Sequence, residues 1–371
     1  MIKAALSRGN HATLTGAPYR PKTTTAIPAT FSVLPGLDLA GSAGVPVAYT
    51  TPYGTQLIGD SRLLLSRLPT ASVDLIITSP PFPLLRQKEY GNQGQDVYVD
   101  WLLEFGRLAL PKLKDTGSLV LDIGGAYVRG RPVRSLHQFR VAIAFCDQLG
   151  YRLAQDFYWH NPSKLPSPIE WVNKRKIRAK DSVNTVWWFA KSDFPKAHLD
   201  HVRVEYSKSM QRLLVDPRKY YTPKGRPSQH SISDNFARDN GGAIPSNLLA
   251  YPNTESNSSY LRNCRILGVQ GHPARFPSAL PSFFIKLLTD PGDLVLDIFS
   301  GSNTTGAAAE QLARRWLAIE IDPEYAAASS ARFLHGCSEP LMRQLYERIK
   351  SGDPALLAPT TIAHASTPPI R

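Results

Sequence analysis

The chain has 371 residues, 42% of them hydrophobic and 20% charged, a balance that suits a folded protein with one large α/β domain and a smaller appended region. Its formal net charge of +13 favours approach to a polyanion without establishing one as the partner. Cys146, Cys264 and Cys337 are its three cysteines; without a Cys-x-x-Cys spacing they speak against a disulfide framework or a cysteine-rich zinc site, and no apolar run is long enough for a membrane span.

Residues 1–50 are rich in Ala, Thr, Pro and Gly, carry Lys3, Arg8, Arg20 and Lys22, and contain no acid before Asp38. They read as a flexible basic arm; an organelle transit peptide has a similar composition. Val73 to Thr78 is a strand running into the proline turn Ser79-Pro80-Pro81-Phe82. Asp100 to Leu113 has helical spacing, and Gly117 to Asp122 is a second buried strand ending in Gly124-Gly125. Strand, helix and strand in that order imply parallel pairing with crossover helices.

The stretch from His201 to Val269 lacks this rhythm and mixes cations, aromatics and amides, which suits either an ordinary insertion or a surface that reads phosphates and base edges. The rhythm then returns. Ser278 to Thr289 reads as a helix, Asp293 to Phe299 as a strand, Thr304 to Arg315 as a helix and Trp316 to Glu320 as a strand, with Pro323 opening another helix towards Phe333. Ser351 to Arg371 is a Pro/Ala/Thr-rich tail.

Two turns carry chemistry. Between a strand and a helix, Asp297-Ile298-Phe299-Ser300-Gly301-Ser302-Asn303-Thr304-Thr305-Gly306 presents backbone amides to a ligand. It matches neither G-x-G-x-x-G nor the G-K-[ST] of a phosphate-binding loop, so a nucleoside without pyrophosphate fits better. Glu320, about 20 residues on, can accept hydrogen bonds from both ribose hydroxyls; Asp322 reads as a helix cap. At the proline turn, Ser79 Oγ and a backbone carbonyl can accept the two hydrogens of a planar amine while Phe82 stacks on its ring. A rigid turn alone explains Pro80 and Pro81 but not Ser79 and Phe82.

These residues resemble the amino-methylating DNA methyltransferases, whose catalytic motif [DNS]-P-P-[YFW] appears as Ser79-Pro80-Pro81-Phe82. Their cofactor motif D-x-F-x-G-S-G-T-T appears as Asp297 to Thr305, with Asn303 replacing a glycine, a form familiar in the cytosine-N4 branch. Gly59-Asp60 resembles the site whose acid contacts the cofactor adenine, and His272-Pro273-Ala274-Arg275-Phe276-Pro277 the block lining the cofactor pocket. Trp159 to Pro166 resembles an N4-branch segment near the target base.

The resemblance spans roughly residues 53–332 and implies a Rossmann-like α/β methyltransferase fold with a mostly parallel seven-stranded sheet, circularly permuted, around an inserted DNA-recognition region. It divides the chain into an arm (1–50), a catalytic half (51–200), a target-recognition region (201–269), a cofactor-binding half (270–335) and a C-terminal helix and tail (336–371). It implies S-adenosyl-L-methionine as cofactor, S-adenosyl-L-homocysteine as product, no metal, and base flipping from double-stranded DNA. The implied catalytic residues are Ser79, Pro80, Pro81 and Phe82. The implied cofactor residues are Asp60, Thr78, Phe276, Pro277, Asp297, Phe299, Ser300, Gly301, Ser302, Asn303, Thr304, Thr305 and Glu320.

Carbon-5 methylation needs a cysteine following proline, and none of the three follows one. Cytosine N4 and adenine N6 both stay open, with Ser79 and Asn303 favouring cytosine. Lys174, Arg175, Lys176, Arg178 and Lys180 form one candidate phosphate-contacting cluster, and Arg212, Arg218, Lys219, Lys224 and Arg226 a second. The resemblance also implies a cytoplasmic, prokaryotic monomer or weak dimer, serving restriction protection beside a cognate endonuclease encoded nearby, with a solitary methyltransferase as the alternative. The competing readings are a release-factor or small-molecule methyltransferase and a non-catalytic DNA-binding protein.

Overall fold

The structure, a computed structural model, describes residues 46–83, 94, 97–216, 238–254 and 258–357. Most of the expected arm, the end of the tail and residues 217–237 lie outside the described residues. In chain order the first elements are β1 (Val47–Thr50), β2 (Gly54–Ile58), α1 (Ser61–Arg67), β3 (Val73–Thr78), α2 (Tyr98–Ala109), β4 (Leu113–Gly124), α3 (His137–Asp147), β5 (Arg152–His160) and β6 (Val183–Ala190). Then come α4 (Lys208–Val215), β7 (Leu248–Ala250), α5 (Ser259–Leu267), α6 (Ala279–Leu288), β8 (Leu294–Asp297), α7 (Thr304–Gln311), β9 (Arg315–Glu320), α8 (Pro323–Ser329), α9 (Glu339–Lys350) and β10 (Ala355–Leu356).

The strands form one sheet in the order β10, β1, β2, β9, β8, β3, β4, β6, β5, β7. Its centre, from β2 through β9, β8 and β3 to β4, is parallel throughout. Central strands alternate between two cores: Leu75, Val295, Trp316 and Ala318 pack on one side, and Ile76, Leu296, Leu317 and Ile319 on the other. Burial on both faces makes these strands read as continuous apolar runs.

Where the resemblance implies seven strands, the described residues form ten. β1 and β10 extend one edge of the sheet, and β7 extends the other. The arm boundary at 50 therefore falls at the end of a paired strand: Tyr49 pairs with Ala355 of the expected tail. The middle region is also tied to the body, since β7 pairs with β5 and Tyr260, Cys264 and Leu267 of α5 enter one core.

Helix ends differ from expectation where local chemistry intervenes. α2 stops at Ala109 and passes through a 3-10 turn at Leu110–Lys112, because Pro111 lacks an amide and its ring opposes helix continuation. α7 stops at Gln311; Ala313 adopts φ 56°, turning the chain so that Arg315 can start β9.

Candidate active site

The register of the parallel strands brings the two expected motifs together. Thr78 of β3 lies opposite Leu121 of β4, so Ser79 and Asp122 emerge side by side. On the next strand Asp122 lies opposite Val186, and Asn184 of β6 lies opposite Gly124, two residues further along β4. Ser79 Oγ donates to Asp122 Oδ2 at 3.0 Å, and Asn184 Nδ2 donates to Asp122 Oδ1 at 3.1 Å. Burial pushes the Asp122 carboxyl up to about 6, opposed by the Asn184 and Ser79 hydrogen bonds and by the charge of Lys164.

Phe82 is placed by an absent side chain. A Cβ at Gly124 would come within 2.4 Å of the Phe82 ring, so the glycine at the end of β4 leaves the space that the ring occupies. Pro80 and Pro81 lack the amides that would continue the β3 ladder.

Asp297 joins the catalytic strand to the ligand turn. Its fully buried carboxylate accepts from Thr78 Oγ1 and Thr305 Oγ1, each at 2.7 Å, and from the Phe299 amide at 3.1 Å. Burial raises its pKa and these three bonds oppose the shift. Beyond it, Gly301 turns with φ 48° under the His272 ring, where an added Cβ would sit 3.2 Å from a ring carbon. Arg332, itself buried, supports the turn through Ser302 O at 2.6 Å and Thr304 Oγ1 at 2.7 Å.

Glu320 ends β9 and accepts from the Gly301 amide at 2.7 Å and the Asp322 amide at 3.0 Å. Burial lifts its carboxyl to about 7 despite those two bonds. A carboxylate has roughly four acceptor positions, so two stay available for a ligand. Asp322 also accepts from the Glu324 amide at 2.8 Å, capping α8 as expected.

Both turns face one cavity of about 520 Å³, within the ~300–1,000 Å³ range of small-molecule sites. Ser79, Pro80, Pro81 and Phe82 line it, as do Asp60, Phe276, Phe299, Ser300, Gly301, Ser302, Thr304 and Glu320. Thr78, Pro277, Asp297, Asn303 and Thr305, all expected to touch the cofactor, are not part of its lining. Thr78, Asp297 and Thr305 hold one another beneath the surface. Asn303 adopts a left-handed φ of 52°, accepts from the Gly306 amide at 2.9 Å and donates to Tyr49 at 3.1 Å. Its departure from glycine thus serves to cap α7 in a conformation that Asn tolerates.

Asp60 caps α1 and is paired with Arg62 at 2.7 Å. The Arg62 hydrogen bonds hold its carboxyl below the usual carboxylate range.

Sequence reasoning missed Asp122 and Asn184, and also Trp101 and Phe105, whose rings lie 5.6 and 4.8 Å from Phe299 and form an aromatic wall. Asp122 was detectable by the signal that exposed Glu320: a carboxylate closing a buried apolar strand.

The basic run is more engaged than a solvated surface. Lys174 and Arg175 pair with Glu170, Arg178 donates to Pro132 O at 2.8 Å, and Lys180 donates to Pro162 O and Lys164 O at 3.2 Å each. Lys176 and Arg212 are exposed. Arg218, Lys219, Lys224 and Arg226 lie outside the described residues.

The family model for N6/N4 DNA methylases matches residues 73–331, a span that begins at β3 and closes after α8. The chain belongs to this DNA methylase family. The methylase is 56% identical over 311 residues to the type II methyltransferase M.PvuII of Proteus hauseri, covering 84% of this chain and 93% of that one. It is 26% identical to the DNA adenine methyltransferase YhdJ of Escherichia coli K12, covering 76% and 82%. Among solved structures it matches the PvuII DNA methyltransferase described as cytosine-N4-specific, with a TM-score of 0.70, 49% identity, and 85% and 98% of the two chains covered. The methylase is therefore an enzyme of the Rossmann-like α/β methyltransferase class. No helix among the described residues is long and apolar enough to cross a membrane.

Proposed function

We propose that the methylase transfers a methyl group from S-adenosyl-L-methionine to the exocyclic N4 amine of cytosine in double-stranded DNA, leaving S-adenosyl-L-homocysteine. The carrying observation is the Ser79 to Asp122 hydrogen bond inside the cavity that also contains the Gly301 turn and Glu320. Similarity to a cytosine-N4-specific enzyme at 49% identity over nearly its whole length favours cytosine over adenine. The type II relatives favour restriction protection beside a partner endonuclease.

The residues present fit the cofactor. Glu320 has acceptor positions left for ribose hydroxyls, Gly301 and Ser302 allow close approach of the backbone, and exposed Ile321 offers an apolar surface beside them. The Phe299, Trp101 and Phe105 wall suits a purine face. When bound, S-adenosylmethionine supplies an electrophilic methyl group.

The protein's part is to hold and deprotonate the amine. Ser79 already donates its hydroxyl proton to Asp122, so its lone pairs are directed at an incoming N–H. One amine hydrogen is accepted by Ser79 Oγ and the other by a carbonyl of the proline turn, while Phe82 stacks on the base. As nitrogen gains the methyl group it becomes acidic; Ser79 takes its proton and passes its own to Asp122. A carboxyl lifted to about 6 is ionised at neutral pH and still basic enough to receive it.

Single-molecule sequencing of DNA from a host expressing the chain tests this reading. N4-methylcytosine in one sequence context is expected; methylated adenine as the sole modification would overturn it.

A further inference from the structure

Extruding a base from a duplex leaves a gap in the stack that an apolar protein side chain can fill. Asn161, Lys164 and Ser182 line the cavity together with Ser79 and Asp122, and the charge of Lys164 acts on the Asp122 carboxyl. They are the two ends and an early residue of one loop, 161–182, in which six cations, Lys164, Lys174, Arg175, Lys176, Arg178 and Lys180, stand against two acids, Glu170 and Asp181.

The residue next to Lys164 is out of keeping with that polarity. Leu165 is 80% exposed and is followed by Pro166. A flexible loop would fold such a side chain away, but here the backbone on both sides is tied down. The Lys164 amide donates to Asn161 O at 3.2 Å and its carbonyl accepts from Lys180 Nζ at 3.2 Å. Ser163 is held by Asn161 Oδ1 at 3.1 Å, and Ser167 O accepts from the Asp181 amide at 2.9 Å. The carbonyls that bind Lys180 leave its charge uncompensated, so the tie is also cationic.

Building on the proposed reaction, we infer that Leu165, with Pro166 behind it, is the wedge that enters the DNA base stack as the target cytosine is extruded into the adjoining cavity. An apolar side chain on a tied turn, one residue from the pocket lining and beside Lys164 and Lys180, whose charges suit flanking phosphates, has the chemistry required to occupy an unstacked step. Exposure alone does not confer this role. Phe194 is 88% exposed but follows β6, whose last residue Ala190 pairs with Ser118, at the end of the strands away from Asp122.

The test uses duplexes carrying the methylated sequence found by sequencing, with the target cytosine opposite guanine or opposite an abasic site that leaves it unpaired. Leu165→Ala is expected to slow single-turnover methylation of the paired duplex by roughly tenfold or more, because unstacking must then proceed without the wedge. It is expected to match wild type on the unpaired target, while Phe194→Ala matches wild type on both. Pyrrolocytosine at the target position, whose fluorescence rises on unstacking, should brighten with wild type and much less with Leu165→Ala. Equal rates and fluorescence for wild type and Leu165→Ala, or equal slowing on both duplexes, would overturn the wedge. Absence of N4-methylcytosine from the wild-type reactions would instead count against the proposed function, and the fluorescence would still report on Leu165.

Discussion

Ser79 and Asp122 form a pair whose members fail differently when replaced. Ser79→Ala removes the acceptor of an amine hydrogen and the path to Asp122, and its single-turnover rate is expected to fall about 10²–10³-fold with DNA affinity little changed. Asp122→Asn keeps a similar shape but cannot take a proton; a loss of about 10²–10⁴ is expected. Because the Asp122 carboxyl is held up to about 6 by burial, the wild-type rate should decline as pH falls through 6, and the Asn variant should lack that limb. The same burial makes the ionised side chain a liability for folding. Its pKa is raised on folding, so its contribution to stability declines as pH rises from about 4 to about 6. Asp122→Asn should therefore melt no lower than wild type at pH 8, separating lost chemistry from lost structure.

Glu320 gives a second titration with a different readout. Its carboxyl stands at about 7 without a ligand, and ribose hydroxyls donate best to the ionised form. Cofactor affinity should rise with pH between about 6 and 8, with a proton released on binding near neutrality. Calorimetry in two buffers of different ionisation enthalpy measures that proton; identical enthalpies would contradict the assignment.

Among the elements, β4 carries the most for its length, because it supplies Asp122 and then the vacancy at Gly124 that seats Phe82. Gly124→Ala should displace the ring and slow methyl transfer several-fold or more, while urea unfolding shifts only slightly. β3, β8 and β9 were legible in sequence because burial on both faces leaves uninterrupted apolar runs. β5 was not, since Arg152 to Gln155 are exposed and break the pattern. β1 and β10 are short and pair with each other from distant parts of the chain, a contact that no local window contains. At the site, the cavity-facing motif residues were legible from their chemistry. Asp297, Thr78 and Thr305 were legible as important but not in their role, because bonding beneath a surface depends on strand register. Asn303 shows the same limit: its position near the turn suggested ligand contact, whereas its left-handed backbone and bond to Gly306 make it a cap.

For the molecule as a whole, the net charge of +13 gives a long-range field towards DNA, and the loop 161–182 brings part of it to the cavity mouth. Affinity for duplex DNA should fall steeply with salt, and losing one phosphate contact should reduce the slope of log affinity against log salt by about 1. Lys176→Ala is the clearest substitution for that measurement, because Lys176 is exposed, whereas Lys180 ties the loop through the carbonyls of Pro162 and Lys164. An unchanged slope would remove Lys176 from the phosphate-contacting face. The central claim, that the linked turns methylate cytosine N4, is tested most directly with purified protein, S-adenosylmethionine labelled in its methyl group, and duplex DNA. After digestion to nucleosides, the label is expected in N4-methylcytosine and to accumulate about 10²–10³-fold more slowly with Ser79→Ala; label found only in N6-methyladenine would contradict the account.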